Sequence, residues 1–365
     1  MRIPVISGPG VPDAVAEVLS GGPAIAVVAD QASVPASWDL AGRPLEPDAG
    51  VLIGTSGSTG DPKGVLLSTS AIRASAEATH RRLGGPGDWV CPLPLHYVAG
   101  LMTAARAAVA GTRISVVPSD LTELPTGPGR TYISVVAAQL HRALDNPDAV
   151  AALARFDAVL VGGSAIPAPL LSRGRAAGIT LVATYGMAET CGGCVYDGVP
   201  LDGVRIDIGE RDRIAIAGDC VFSGYRLDPD ATAAALRTGA DGVRTLLTHD
   251  RGRWSDGRLQ VLGRLDDVVI TGGVNVDLGR AQRAADAVFG PGALVLLGVP
   301  DERWGTRIVA LTELPLSVDD CRARLAGRLE ASAIPRQLRR VAGLPRTSTG
   351  KIDRRSLRRL WAEGS

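Results

Sequence analysis

The sequence predicts an α/β protein with a large N-terminal domain of layered, largely parallel sheets plus a small β-rich lobe, followed by a small C-terminal α+β domain. Three observations carry this. Apolar, strand-like runs alternate with helical stretches between about residues 51 and 185, as parallel sheets with crossover helices require. From Gly203 the texture changes to short strands separated by turn signals. After Gly263-Arg264-Leu265-Asp266-Asp267 a last block mixes strands with capped helices, so the domains are set at 1–263 and 264–365.

In order, a helix is expected over Val11 to Leu19 and a strand over Ala24 to Ala29. Val51 to Gly54 and Val65 to Leu67 flank a Gly/Ser/Thr turn, and Ser68-Thr69-Ser70 offers N-caps for a helix over Ala71 to Leu83, ended by Gly84-Gly85-Pro86. Strands follow at Val90 to Leu95, Arg113 to Pro118, Tyr132 to Val136, Ala158 to Gly162 and Thr180 to Thr184. Between them lie a loop and Ala-rich helix over Tyr97 to Ala110 and helices at Ala137 to Leu144 and Pro167 to Ala177. The β-rich lobe takes Val204 to Ile208, Arg213 to Ala217 and Arg258 to Leu262. The last domain takes strands at Val268 to Ile270, Leu294 to Val299 and Arg307 to Thr312, a helix from Ser317 through Glu330, and a basic helix near Trp361.

The 365 residues are 45% hydrophobic, enough for sizeable cores, and 39 basic against 38 acidic residues leave a net charge of +1. Nothing in that balance suggests nucleic acid or a membrane surface as partner. The N-terminus lacks a secretory apolar core and no apolar stretch approaches the roughly 20 residues of a spanning helix, so a cytoplasmic location is expected. Five scattered cysteines make no disulfide framework. Cys191-Gly192-Gly193-Cys194 has redox or half-zinc spacing, but with no second Cys/His pair nearby the thiols read as small pocket-wall residues.

The turn Thr55-Ser56-Gly57-Ser58-Thr59-Gly60-Asp61-Pro62-Lys63-Gly64 has the chemistry of a phosphate cradle. Glycines let backbone N–H groups face one point, hydroxyls add donors and Lys63 adds a compact charge. A polar hairpin is the plain alternative. A Walker loop is excluded because Pro62 precedes and Gly64 follows the lysine. Of the 39 basic residues only Lys63 and Lys351 are lysines, and the other 37 are arginines. Both lie in glycine-containing motifs, where a slim ammonium fits better than a planar fork.

The pattern T-S-G-S-T-G-x-P-K-G resembles the phosphate loop of the adenylate-forming enzymes, which include acyl-CoA synthetases, luciferases and peptide-synthetase adenylation domains. Thr184-Tyr185-Gly186-Met187-Ala188-Glu189-Thr190 resembles their second signature, and Val161-Gly162-Gly163-Ser164-Ala165 their adenine-pocket loop. Thr248-His249-Asp250-Arg251-Gly252 resembles the ribose-binding segment, Gly263 to Asp267 the hinge, and Arg346-Thr347-Ser348-Thr349-Gly350-Lys351-Ile352 the C-terminal catalytic loop. The resemblance runs from about Val51 to Lys351 in the family's order.

It implies ATP, Mg2+ and coenzyme A as cosubstrates and cofactor. Thr55, Glu189 and Lys351 would be catalytic, with Glu189 holding Mg2+. ATP would be bound by Thr55, Ser56, Gly57, Ser58, Thr59, Gly60, Lys63, Gly163, Ser164, Tyr185, Gly186, Met187, Asp250, Arg264 and Lys351, and the mobile C-terminal domain would turn about Asp266.

Within the family, Thr184 to Gly193 and Pro94-Leu95-His96-Tyr97-Val98-Ala99-Gly100 look most like the 2-succinylbenzoate–CoA ligases of menaquinone biosynthesis. That acid carries a ring carboxylate needing a cationic or hydroxyl partner. Arg106 is the candidate, and the alternative is a solvent-facing arginine. Gly192 and Gly193 would leave room for a flat ring; Thr184, Ser164, His96 and Tyr97 complete the expected acyl pocket. Two departures stand out: the phosphate loop begins near residue 55, a shortened N-terminal part, and Tyr97 stands where the family usually has histidine, with His96 shifted by one.

The competing readings are a ligase loading another aryl or acyl group onto coenzyme A or a carrier protein, and a non-catalytic nucleotide-binding relative. Expected partners are small molecules, without nucleic acid or membrane insertion; a homodimer stays open.

Overall fold

The computed structural model describes residues 3–55, 63–125, 127–346 and 352–363. The expected phosphate-loop residues Ser56, Gly57, Ser58, Thr59 and Gly60, and Lys351, lie outside them. Two compact units emerge: Met1–Asp207 with Ala215–Thr248 and Trp254–Leu259, and Gln260–Ser365 with the short segments Ile208–Ile214 and His249–Arg253.

The first unit opens with β1 (Val5–Ile6), α1 (Val11–Leu19), β2 (Ile25–Val27), β3 (Val51–Gly54), β4 (Gly64–Leu67) and α2 (Thr69–Arg82). Helix α1 has the predicted limits, and α2 is capped by Ser68, whose hydroxyl accepts the Ala71 N–H at 3.1 Å. It continues with β5 (Asp88–Cys91), α3 (Val98–Ala110), β6 (Ile114–Val116), β7 (Thr131–Val136), α4 (Ala137–Ala143), α5 (Pro147–Leu153), β8 (Ala158–Gly162), α6 (Ala168–Ala176) and β9 (Leu181–Met187). Strand β5 stops short of the expected Leu95 because Pro92 and Pro94 have no N–H to give a ladder. Helix α5 was not foreseen, although its signals are present: Asn146 accepts the Asp148 N–H at 3.0 Å and Pro147 opens the first turn.

Next come β10 (Gly192–Tyr196), β11 (Val199–Pro200), β12 (Val204–Ile208), β13 (Arg213–Gly218), β14 (Gly224–Tyr225), α7 (Pro229–Ala235), β15 (Leu236–Thr238), β16 (Arg244–Ser255) and β17 (Arg258–Arg264). The remainder is β18 (Val268–Thr271), β19 (Val274–Asp277), α8 (Leu278–Phe289), β20 (Leu294–Asp301), β21 (Gly305–Thr312), α9 (Val318–Leu325), β22 (Gln337–Arg340) and α10 (Arg354–Glu363). Helix α9 ends five residues before the expected Glu330: Ala326 is already extended (ψ 139°) and Gly327 takes φ +76°, a conformation L side chains avoid.

Among the described residues the strands form four sheets. The first has the order β1-β2-β3-β4-β14, parallel over β1 to β3, with β3 and β4 antiparallel. The second has the order β11-β10-β9-β8-β7-β5-β6, parallel from β6 to β9. The predicted β-rich lobe is the third, β12-β13-β16-β15 with β17 on β16, and the C-terminal sheet is β19-β18-β21-β20 with β22 on β21.

Continuous apolar runs mark strands covered on both faces. In β8, Val159 and Val161 enter one core cluster while Ala158 and Leu160 enter another, on the opposite face. In β20, Leu294 and Leu296 pack with α8 and α9, while Val295, Leu297 and Val299 pack with Leu357 and Trp361 of α10. Each large apolar side chain so buried contributes about 1.5–3 kcal/mol. No helix among the described residues is long and apolar enough to cross a membrane.

Candidate active site

Strands β5, β8 and β9 belong to the parallel part of one sheet, so their C-terminal ends share an edge, where ligands of such folds collect. After β5 come His96 and Tyr97, both half-buried, with ring centroids 4.2 Å apart. Burial holds the His96 imidazole below its ordinary pKa. After β8 come Gly163 and Ser164, both exposed. Strand β9 runs further than predicted and takes in Tyr185, Gly186 and Met187. The Thr184 hydroxyl donates to the Val161 carbonyl at 3.1 Å, tying β9 to β8.

Between β9 and β10 the chain makes a 3-10 turn, Ala188–Thr190, that carries Glu189. The buried Thr190 Oγ1 accepts the Met187 N–H at 2.9 Å and donates to the Gly192 carbonyl at 2.7 Å, fixing the turn. Gly186 is required by this close packing, since a Cβ there would lie 2.0 Å from the Gly192 oxygen. The Phe222 N–H donates to the Glu189 carbonyl at 2.9 Å, and the Tyr225 hydroxyl donates to Glu189 Oε1 at 2.8 Å. Burial and that carboxylate push the Tyr225 phenol well above its usual range. Lys63 Nζ stands 4.9 Å from the centre of the Tyr225 ring, and the Thr55 N–H donates to the Lys63 carbonyl at 3.1 Å. Tyr225 was missed from sequence; its only local signal is an aromatic after Gly224 in a two-residue strand.

Arg106 is not solvent-facing. It lies on α3 with 3% of its surface exposed, its guanidinium carbon 5.1 Å from the Trp89 ring centre, and makes no salt bridge among the described residues. Its Nε, Trp89 Nε1 and His80 Nε2 are all buried without a hydrogen-bond partner among those residues. Gly192 faces this guanidinium: a Cβ there would lie 3.8 Å from Arg106 Nη2. His80 is buried, and burial together with Arg106 lowers its pKa to about 4. Gly193 lies opposite Gly186 in the β9–β10 ladder, and a Cβ there would meet Tyr196 and Thr184 at 3.0 and 3.1 Å, not Arg106.

In the second unit, Asp250 sits half-buried in β16, and Arg264 Nη1 lies 3.5 Å from its Oδ1. Arg264 also grips Asp266 with Nε at 3.2 Å and Nη2 at 2.8 Å, and the Leu265 N–H donates to the His249 carbonyl at 2.7 Å. The expected ribose aspartate, the arginine and the hinge aspartate thus form one polar cluster. Long strand β16, which presents Asp250, was not foreseen because its polar positions do not alternate strictly with apolar ones.

All five cysteines are buried free thiols. Burial pushes the Cys220 thiol up to about 12 and raises Cys191 and Cys194 as well. Cys194 and Cys220 line a small cavity with Ser75 and Leu201.

Comparison with known proteins matches both parts of the chain. A family model described as AMP-binding enzyme covers residues 13–225, and one described as AMP-binding enzyme C-terminal domain covers residues 293–351. A probable 2-succinylbenzoate–CoA ligase of Mycobacterium tuberculosis is 42% identical over 88% of this chain and 87% of its own. A 2-succinylbenzoate–CoA ligase of Geobacillus kaustophilus is 31% identical over 84% of this chain and 68% of its own. Among solved structures, o-succinylbenzoate CoA synthetase from Bacillus subtilis, in complex with its acyl-adenylate intermediate, superposes with a TM-score of 0.73 at 23% identity, over 95% of this chain and 80% of that one, which shows the shared fold. With the motifs in order and both family models matched, the chain belongs to the AMP-binding, adenylate-forming enzyme family and is most like its 2-succinylbenzoate–CoA ligases.

Proposed function

We propose that the chain is an AMP-forming acid–CoA ligase that activates 2-succinylbenzoate with MgATP and passes the acyl group to coenzyme A, in menaquinone biosynthesis. The observation that carries the choice of acid is Arg106: a buried guanidinium with no carboxylate partner among the described residues, facing Gly192. Burying an unpaired charge is costly, so such a site is built for an anion that arrives with the ligand. The ring carboxylate of 2-succinylbenzoate supplies it, and the missing side chain at Gly192 keeps the approach to the guanidinium open.

In the first half-reaction the succinyl carboxylate attacks the α-phosphate of ATP, giving the acyl-adenylate and pyrophosphate; in the second, the thiol of coenzyme A displaces AMP. The first step brings anions together, so alignment and charge neutralisation carry the catalysis. Lys351 would bridge carboxylate and α-phosphate, Thr55 to Lys63 would grip the β- and γ-phosphates, and Asp250 would take the ribose hydroxyls. Gly163, Ser164 and Tyr185 would flank the adenine. Glu189 fits a Mg2+ site, because one of its hard carboxylate oxygens is held by Tyr225 and the other makes no hydrogen bond among the described residues. Bound there, Mg2+ would neutralise phosphate charge.

Between the halves, residues 264–365 would turn about Asp266 as a mobile domain. A homodimer and a cytoplasmic location belong to the same proposal; the five buried free thiols fit a reducing compartment. The test is AMP and pyrophosphate formation from MgATP with 2-succinylbenzoate, benzoate or a fatty acid, with and without coenzyme A. Turnover with 2-succinylbenzoate and coenzyme A is expected. Pyrophosphate release indifferent to coenzyme A would point to a carrier-protein acceptor, and none with any acid would refute the ligase.

A further inference from the structure

Tyr225 touches both charged groups of the phosphate-binding region. Its hydroxyl donates to Glu189 Oε1 at 2.8 Å and its ring face lies 4.9 Å from Lys63 Nζ. Glu189 and Lys63 carry opposite charges against one phenol, and no salt bridge between them is found among the described residues. The ring is itself fixed: Tyr225 pairs with Val65 in the β14–β4 ladder, its N–H donates to Thr232 Oγ1 at 2.9 Å, and Phe222 packs edge-on at 4.9 Å. Neighbouring Arg226 anchors the same strand through buried hydrogen bonds to the Trp38 and Arg43 carbonyls at 2.9 and 2.8 Å.

We propose that Tyr225 is a positioning residue that holds the Glu189 carboxylate through its hydroxyl and the Lys63 ammonium over its ring, giving each charge the phenol as its contact instead of the other charge. This rests on the reading that Glu189 serves the metal and Lys63 the phosphates. A direct Lys63–Glu189 ion pair would cancel both charges where they are needed. An aromatic face attracts an ammonium without neutralising it, and a phenol O–H occupies one carboxylate oxygen while leaving the other to a cation. The same rigid ring therefore sets both groups before the nucleotide arrives, which lowers the ordering cost of binding.

Two variants separate the contacts: Tyr225→Phe removes the hydroxyl and keeps the ring, and Tyr225→Leu removes both. Mn2+ affinity is read by electron paramagnetic resonance in the presence of a non-reactive ATP analogue, beside kcat and KM for MgATP and thermal stability. Tyr225→Phe should weaken Mn2+ binding roughly ten- to a hundredfold, as loss of a hydrogen bond to a charged group does. It should leave KM for the acid unchanged and largely retain KM for MgATP; Tyr225→Leu should raise that KM as well. Wild-type Mn2+ affinity and kcat in a folded Tyr225→Phe protein would overturn the proposal, as would equal losses in every parameter matched by a fall in Tm. Glu189→Gln distinguishes the two levels. If it keeps Mn2+ binding, the metal reading of Glu189 fails and takes the proposal with it; if it loses Mn2+ binding while Tyr225→Phe does not, only the proposal fails.

Discussion

Arg106 and Trp89 form a buried stack, the guanidinium carbon 5.1 Å from the ring centre, with the neutral His80 imidazole against the same tryptophan at a centroid distance of 6.3 Å. Cation–π attraction offsets part of the desolvation cost of the arginine, and the rest remains available to a ligand anion.

Replacing this arginine should therefore separate stability from function. Arg106→Leu removes a buried charge that has no salt bridge among the described residues, so its Tm should not fall, whereas kcat/KM for 2-succinylbenzoate should drop by about 2–5 kcal/mol, or roughly 30- to 5,000-fold. Activity with benzoate should change little. A variant that keeps wild-type kcat/KM for 2-succinylbenzoate would dismiss Arg106 as the carboxylate partner.

Lys351→Ala should nearly abolish acyl-adenylate formation, since losing one preorganised electrostatic donor costs about 3–4 kcal/mol, or roughly 10²–10³ in rate. Asp266→Pro, which fixes φ at the proposed hinge, should spare pyrophosphate release and damage thioester formation. Single-turnover assays of the two half-reactions give the answer; equal damage to both would remove Asp266 as the hinge.

The buried Arg226 guanidinium is held by Glu46 at 3.1 Å and by carbonyls of Trp38, Asp39, Arg43 and Pro44. Arg226→Ala strands those acceptors and should cost about 3–5 kcal/mol. A thermal melt should show a Tm lowered by about 10 °C. An unchanged Tm would mean that the 38–46 segment is held by other contacts.

His80 should make the fold acid-sensitive. Its pKa falls from 6.5 to about 4 on folding, first through burial and then through Arg106. Between these values the unfolded chain binds a proton that the folded one refuses, so stability is full above about pH 6.5 and declines as pH falls toward 4. His80→Leu removes this contribution, and its Tm should fall less than that of the wild type between pH 7 and pH 5. Parallel Tm–pH curves would contradict the assignment.

Local signals were legible wherever one short stretch carries its own physics. Ser68 and Ser317 cap helices as their side chains predict, and the apolar run of β8 reads as a doubly covered strand. The phosphate-loop and Glu189 motifs are contiguous, so their family pattern was complete in the sequence. Helix α9 was read too long because Arg328, Leu329 and Glu330 continue a helix-compatible pattern past Gly327, where the chain turns.

The chain order of strands, helices and turn chemistry determined the α/β layers and the position of the nucleotide motifs, because periodicity and capping act within about a dozen residues. Only the tertiary structure decided that Arg106 is buried. It lies in a helix apolar around most of its circumference, where periodicity assigns no inside face. Likewise it alone joined Tyr225 to Glu189 across 36 residues and Arg226 to Trp38 across 188. Such pairings are made by sheet register and packing, and no residue announces its distant partner.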